Sequence, residues 1–165
     1  MNSKNKGNTF ERKIANLFSK RFAEKTGIAQ AFRRNIDSGS FFGGSNQKRT
    51  ETHNTENAVF GDINCPSNFN YSLECKHYKA GPSFANLMKQ NCKDWDGWIS
   101  QAEQDSKNSG KKMAIIVKYN NVEEVVILSE PVPDCYNMPY KAYFVAPLVD
   151  FLKMDDSVFF PETVD

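Results

Sequence analysis

The sequence lacks the residue patterns of a zinc protein, a secreted protein or a membrane protein. Its four cysteines form no Cys-x-x-Cys pair, and its histidines are only His53 and His77. A structural zinc site needs closely spaced ligand pairs, so this pattern argues against one. No apolar run approaches the roughly 20 residues that span a bilayer, and the N-terminal stretch has no signal-peptide core. We therefore expect a cytoplasmic protein with reduced thiols.

Internal repeats and coiled-coil heptads are also missing, and a length of 165 residues is most simply a single domain over residues 1–165. Charged residues make up 25% of the chain and aromatic residues 13%, a composition that is globular rather than disordered. Residues 37–58 are an exception, because they are rich in Gly, Ser, Thr and Asn. A loop of that length in a compact domain is usually functional or disordered, and we expect it to be flexible.

The near-neutral total charge hides a strong asymmetry along the chain. Residues 1–49 contain eleven Lys and Arg against three acids, whereas residues 121–165 contain two Lys against nine acids. Such a split is typical of an anion-binding face near the N-terminus. Charge alone is equally compatible with an ordinary solvated helix surface.

The pattern of apolar residues predicts an α/β fold with a central mixed β-sheet flanked by α-helices. A first helix is expected from about Asn8, its N-cap, to Ala23, with Gly27 as a stop. A second is expected from Phe84 to Asn108, with a break near Gly97. The predicted strands are 28–35, 59–64, 71–78, 112–119, 123–130 and 142–147, and a short helix is predicted at 148–154.

Three charged residues in the second and third predicted strands form a candidate site. Residues two apart on a strand share a face, so Glu74 and Lys76 point the same way. If 59–64 and 71–78 pair as a hairpin, Asp62 converges on Glu74. Two carboxylates suit Mg²⁺, which promotes phosphodiester hydrolysis, while a lysine stabilises developing negative charge. The alternative is a surface Glu–Lys pair worth about 0.2–1 kcal/mol.

Glu11 is a further acidic candidate because it falls within the apolar arc of the first helix. A carboxylate is costly there unless another group pairs with it. The alternative role is a capping box, since Asn8-x-x-Glu11 has the required spacing.

Five segments, in order, resemble the PD-(D/E)xK nuclease superfamily. They are KGNTFERKIANLF (6–18), FRRNIDSGS (32–40), GDI (61–63), LECK (73–76) and WISQAEQDSKNSGKKMAIIVKY (98–119). Within that superfamily the chain is most similar to archaeal- and phage-type Holliday junction resolvases, which share a Lys-Gly-x-x-x-Glu-Arg helix start and an Arg-x-x-x-Ser-Gly turn. The resemblance implies a restriction-endonuclease-like fold and covers roughly residues 6–119.

The resemblance also implies roles for individual residues. Asp62 and Glu74 would bind metal, Lys76 would be catalytic, and Glu11 would complete the acidic cluster. The implied catalytic set is Glu11, Ser38, Asp62, Glu74, Lys76 and Gln101.

The chain departs from the family pattern in two places. Gly61 stands where the superfamily name has proline, and the segment between Ser38 and Asp62 is much longer than in compact resolvases. Phe41 and Phe42 in that loop would either stack on exposed bases or be buried.

These features together predict a Mg²⁺-dependent endonuclease, with Mn²⁺ as a substitute metal, that resolves four-way DNA junctions. Two symmetric cuts favour a homodimer. The alternatives are another PD-(D/E)xK nuclease, of nicking, restriction or repair type, and a catalytically silent DNA-binding module. The basic residues expected to contact phosphates are Lys6, Arg12, Lys13, Arg33, Arg34, Lys48 and Arg49.

Overall fold

The structure, a computed structural model, describes residues 3–36 and 60–162. Its helices are α1 Ser3–Arg21, α2 Ala23–Thr26, α3 Phe84–Met88, α4 Lys93–Ser109, α5 Leu148–Phe151 and α6 Asp156–Phe159. Its strands are β1 Arg33–Arg34, β2 Ile63–Asn64, β3 Tyr71–Tyr78, β4 Lys112–Tyr119, β5 Val125–Leu128, β6 Met138–Tyr140 and β7 Tyr143–Pro147. In these two ranges no helix is long and apolar enough to cross a bilayer.

Five strands form one mixed sheet in the order β3-β4-β5-β7-β6. Strands β3 and β4 run parallel along their whole length, and the remaining neighbours are antiparallel. The connection between the two parallel strands carries α3 and α4, because parallel strands need a long crossover. The predicted mixed sheet with flanking helices is therefore confirmed.

Strand β4 is buried on both faces, which explains its continuous apolar sequence. On one face Ala114 and Ile116 belong to the core that α1 covers. On the other face Met113, Ile115 and Val117 pack in the core formed with α4. The sheet is thus a layer between two helices, and β3 and β6 are its two edge strands in the described part of the chain.

Helix α1 begins at Ser3, so the prediction of Asn8 as its N-cap is wrong. The extra N-terminal turn is helical, and Thr9 Oγ1 donates a hydrogen bond to the Asn5 carbonyl. At the other end the prediction holds: Gly27 adopts φ +64° and its N–H bonds to the Ala23 carbonyl. Only glycine takes this left-handed conformation without cost, so it ends the helical segment.

The predicted helix from Phe84 to Asn108 is two helices, and the interruption lies at residues 89–92 rather than at Gly97. Gln90 has φ +49° there, and the Cys92 N–H donates to the Tyr140 hydroxyl at 2.8 Å. This tertiary contact overrides helix propensity, which is a weak determinant. Strand β6 and helix α6 were not predicted. The four cysteines are free thiols, as expected.

Candidate active site

Asp62 reaches β3 by a route that differs from the predicted hairpin. Strand β2 pairs with β1 in antiparallel register, Arg34 opposite Ile63, and not with β3. The residues just before β2 nevertheless lie along the edge of β3, where the Asp62 N–H donates to the Leu73 carbonyl at 2.9 Å. The hairpin prediction is wrong, but the predicted convergence of Asp62 on this strand is observed.

Gly61 makes this close approach feasible. Its φ is +80°, and a Cβ at this position would lie 2.6 Å from the Leu73 carbonyl oxygen. Proline has φ near −65° and cannot adopt this conformation. The glycine is therefore required by the local backbone and is not a neutral replacement for the proline of the superfamily motif.

The carboxylates of Asp62 and Glu74 meet at the edge of β3. Asp62 Oδ2 accepts a hydrogen bond from the Cys75 N–H at 2.8 Å, which fixes its orientation. Glu74 is buried, with its side chain 7% exposed. Burial raises the pKa of Glu74, and the nearby Asp62 carboxylate raises it further. Both effects favour the protonated form of Glu74, so a bound cation would stabilise its carboxylate form.

Lys76 is the cation of the site. Its Nζ lies 3.2 Å from Glu74 Oε2, and its side chain is 18% exposed. Burial lowers the pKa of Lys76, but the attraction of Glu74 and Asp62 outweighs it, so the pKa stands above its ordinary value. Lys76 therefore stays protonated at neutral pH. The predicted common face of Glu74 and Lys76 agrees with this ion pair.

Glu11 lies beside this group on α1. It is buried and forms an ion pair with Arg34, whose guanidinium also donates to Asn8 Oδ1 at 2.7 Å. Because Asn8 and Glu11 both lie inside the helix, the capping-box alternative is wrong. Burial raises the pKa of Glu11, partly offset by Arg34, and the charges of Asp62 and Lys76 also act on it. The costly carboxylate thus has its partner in Arg34.

Asp105 on α4 is a residue that the sequence analysis missed. Burial raises its pKa, the Asp62 carboxylate raises it further, and Lys76 lowers it, so it lies within the field of the site. Gln101, one turn earlier, has an exposed side chain. Their i, i+4 spacing on one helix stripe was the available signal. The role predicted for Gln101 stays a prediction.

The donor set fits a hard divalent cation. Mg²⁺ is commonly held by one or two carboxylates, with substrate phosphates and waters completing its shell. Asp62 and Glu74 supply such a pair, and the pKa of Glu74 is raised first by burial and then by the neighbouring Asp62 carboxylate. Across residues 3–36 and 60–162 no three acidic, His or Cys side chains are grouped as metal ligands. The geometry therefore supports the two carboxylates and does not place Glu11 as a third ligand.

Five of the seven predicted phosphate contacts lie in the described residues. Arg12, Lys13 and Arg33 are exposed, whereas Arg34 is half-buried against Glu11. The predictions for Ser38, Phe41, Phe42, Lys48, Arg49 and the 37–58 loop fall outside the described residues.

Comparison with known proteins agrees with the site geometry. The family model described as "Phage putative PDDEXK endonuclease" matches residues 2–149. No curated protein and no solved structure matches the chain. The family match covers most of the chain and includes every residue of the Asp62, Glu74 and Lys76 cluster. The chain therefore belongs to this phage endonuclease family and is a nuclease of the PD-(D/E)xK type.

Proposed function

We propose that the protein is a Mg²⁺-dependent, structure-selective DNA endonuclease that resolves four-way junctions as a homodimer. The observation that carries the proposal is the meeting of Asp62, Glu74 and Lys76 at the edge of β3. The basic N-terminal residues and the ordered motifs support DNA as the substrate. Two symmetric incisions are needed to resolve a junction, which favours an isologous dimer.

Each residue of the cluster has a defined task in this proposal. Asp62 and Glu74 would hold a divalent ion, which would supply an activated water and neutralise charge at the phosphate. Asp62 is held by the Cys75 N–H and Glu74 by Lys76, so both carboxylates are oriented before metal arrives. Lys76 keeps its proton, and its ammonium group would donate a hydrogen bond to an oxygen of the scissile phosphate.

A cleavage panel tests the activity. Four-way, flapped, nicked and linear DNA are incubated with the protein and Mg²⁺ or Mn²⁺, and products are resolved on denaturing gels. The proposal expects paired incisions in the four-way junction and little cutting of linear duplex. Equal cutting of linear DNA would instead indicate a nicking, restriction-type or repair nuclease of the same family.

Variants separate cleavage from binding. Asp62→Ala, Glu74→Ala and Lys76→Ala should abolish cleavage while junction binding, measured with a chelator present, remains. The matched control is Glu130→Ala. Glu130 follows β5 and forms an exposed ion pair with Lys112 at the start of β4. Retained cleavage in two of the three site variants would refute the assignment. Binding without cleavage by the unaltered protein would indicate a DNA-binding module.

A further inference from the structure

A second charged cluster lies beside the candidate active site, in a pocket between α1 and the ends of β3 and β4. Its volume is about 220 Å³, and its wall includes Lys6, Phe10, Lys13, His77, Lys118 and Glu124. Phe10 and His77 form an aromatic base, with ring centroids 5.5 Å apart. Three lysines therefore surround a pocket that contains one carboxylate.

Glu124 connects two of the lysines through one atom. Lys13 forms an ion pair with Glu124 Oε1, and Lys118 Nζ lies 3.5 Å from the same oxygen. Two ammonium groups that converge on one anionic oxygen provide the environment that a phosphate oxygen also prefers. Lys6 makes no ion pair with any residue in the described part of the chain. The pocket consequently keeps an excess of positive charge even with Glu124 in place.

The pocket is close to the Asp62, Glu74 and Lys76 cluster along two elements. Phe10 directly precedes Glu11 on α1, and His77 directly follows Lys76 on β3. One residue of a strand spans only about 3.3 Å. Since His77 and Lys76 point to opposite faces of β3, one DNA strand would have to pass around this edge of the sheet to contact both places.

We propose that this pocket is a DNA-backbone phosphate subsite, in which a phosphate displaces Glu124 from Lys13 and Lys118. The inference rests on the proposed function for its choice of DNA as the ligand. Glu124 acts as an internal anion that pairs the two lysines in the free protein. The exchange keeps both ammonium groups paired with an anion, and it requires the Glu124 carboxylate, whose side chain is 19% exposed, to turn toward solvent.

Two variants with internal controls test the subsite. Lys118→Gln removes a cation from the pocket, and Lys112→Gln removes one from the opposite end of the same strand and the same face. Glu124→Gln removes the internal anion, and Glu130→Gln removes the acid that pairs with Lys112. The two variants of a pair change the net charge by the same amount. A difference in DNA affinity between them therefore depends on where the altered residue lies. Thermal unfolding confirms that all four variants are folded.

Affinity for junction DNA is measured by fluorescence anisotropy over a salt series, in a chelator so that cleavage plays no part. One phosphate contact contributes about 0.9 to the slope of log K against log salt. At 0.1 M salt this corresponds to about an eightfold gain in DNA affinity. Lys118→Gln should lose about this much affinity and slope relative to Lys112→Gln. Glu124→Gln should bind more tightly than Glu130→Gln.

Equal effects within each pair would overturn the subsite. Inorganic phosphate is tested as a separate ligand by its effect on thermal unfolding. If it stabilises the unaltered protein but not Lys118→Gln, while DNA affinity is the same in Lys118→Gln and Lys112→Gln, the pocket binds a free phosphate and the DNA assignment is wrong. The binding result is independent of cleavage, so a protein that fails to cut junctions but shows these differences would refute only the proposed function.

Discussion

Replacement of Lys76 by Met tests whether this lysine holds the acidic cluster together electrostatically. At 3.2 Å from Glu74 Oε2, two unit charges attract by about 5 kcal/mol with an effective dielectric constant of 20. Methionine keeps most of the side-chain volume but removes the charge. Loss of one partner of a buried pair typically costs about 3–5 kcal/mol, so we expect a loss of about 3 kcal/mol in the free energy of unfolding at alkaline pH.

The same variant should be much less destabilised in acid. The pKa of Glu74 lies above its ordinary value of 4.5, owing to burial and then Asp62. Ionisation of Glu74 therefore destabilises the folded state. The effect grows as the pH rises from the pKa of Glu74 in the unfolded chain to its pKa in the folded protein. At about pH 5 Glu74 is protonated in the folded protein, and Lys76→Met should cost only about 1 kcal/mol, the value of an ordinary hydrogen bond.

A double-mutant cycle measured by urea unfolding in a chelator gives the coupling directly. Lys76→Met, Glu74→Gln and the double variant are compared at about pH 5 and about pH 9, where Lys76 with its raised pKa is still charged. We expect a coupling of about 2–3 kcal/mol at the higher pH and little at the lower. A coupling that is absent at both values, or that does not change with pH, would refute the electrostatic reasoning.

Three further outcomes follow from the geometry. Gly61→Ala should abolish cleavage and cost more stability than Gly27→Ala, because both positions have positive φ but only Gly61 also meets the Leu73 carbonyl; equal losses in thermal unfolding would contradict this. Arg34→Met should destabilise the protein by about 3 kcal/mol unless Glu11→Gln is added, which the same unfolding assay measures. Mg²⁺ at about 100 times its dissociation constant should stabilise the unaltered protein by about 2.7 kcal/mol but leave Asp62→Asn unchanged, and stabilisation of that variant would exclude Asp62 as a ligand.

Much of the fold could be predicted because its signals are local. Strand β4 is a continuous apolar run with β-branched residues, and Gly27 provides a helix stop, so both were found from sequence alone. The break between α3 and α4 was misplaced because the Tyr140 hydroxyl, distant in sequence, binds the Cys92 N–H. Contacts of that kind leave no periodic trace in the chain.

In the candidate site, too, the features with local signals could be predicted and the long-range contacts could not. The sequence by itself determined that Glu74 and Lys76 share a face, because side chains alternate strictly along a strand, and it identified Asp62 as the acid nearest to them. Only the tertiary structure decided how Asp62 arrives, through the φ +80° of Gly61 and two hydrogen bonds to β3. It also decided that Arg34 neutralises Glu11 and that Glu124 connects Lys13 with Lys118. These pairings join residues far apart in the chain, so their energies depend on distances that folding alone sets.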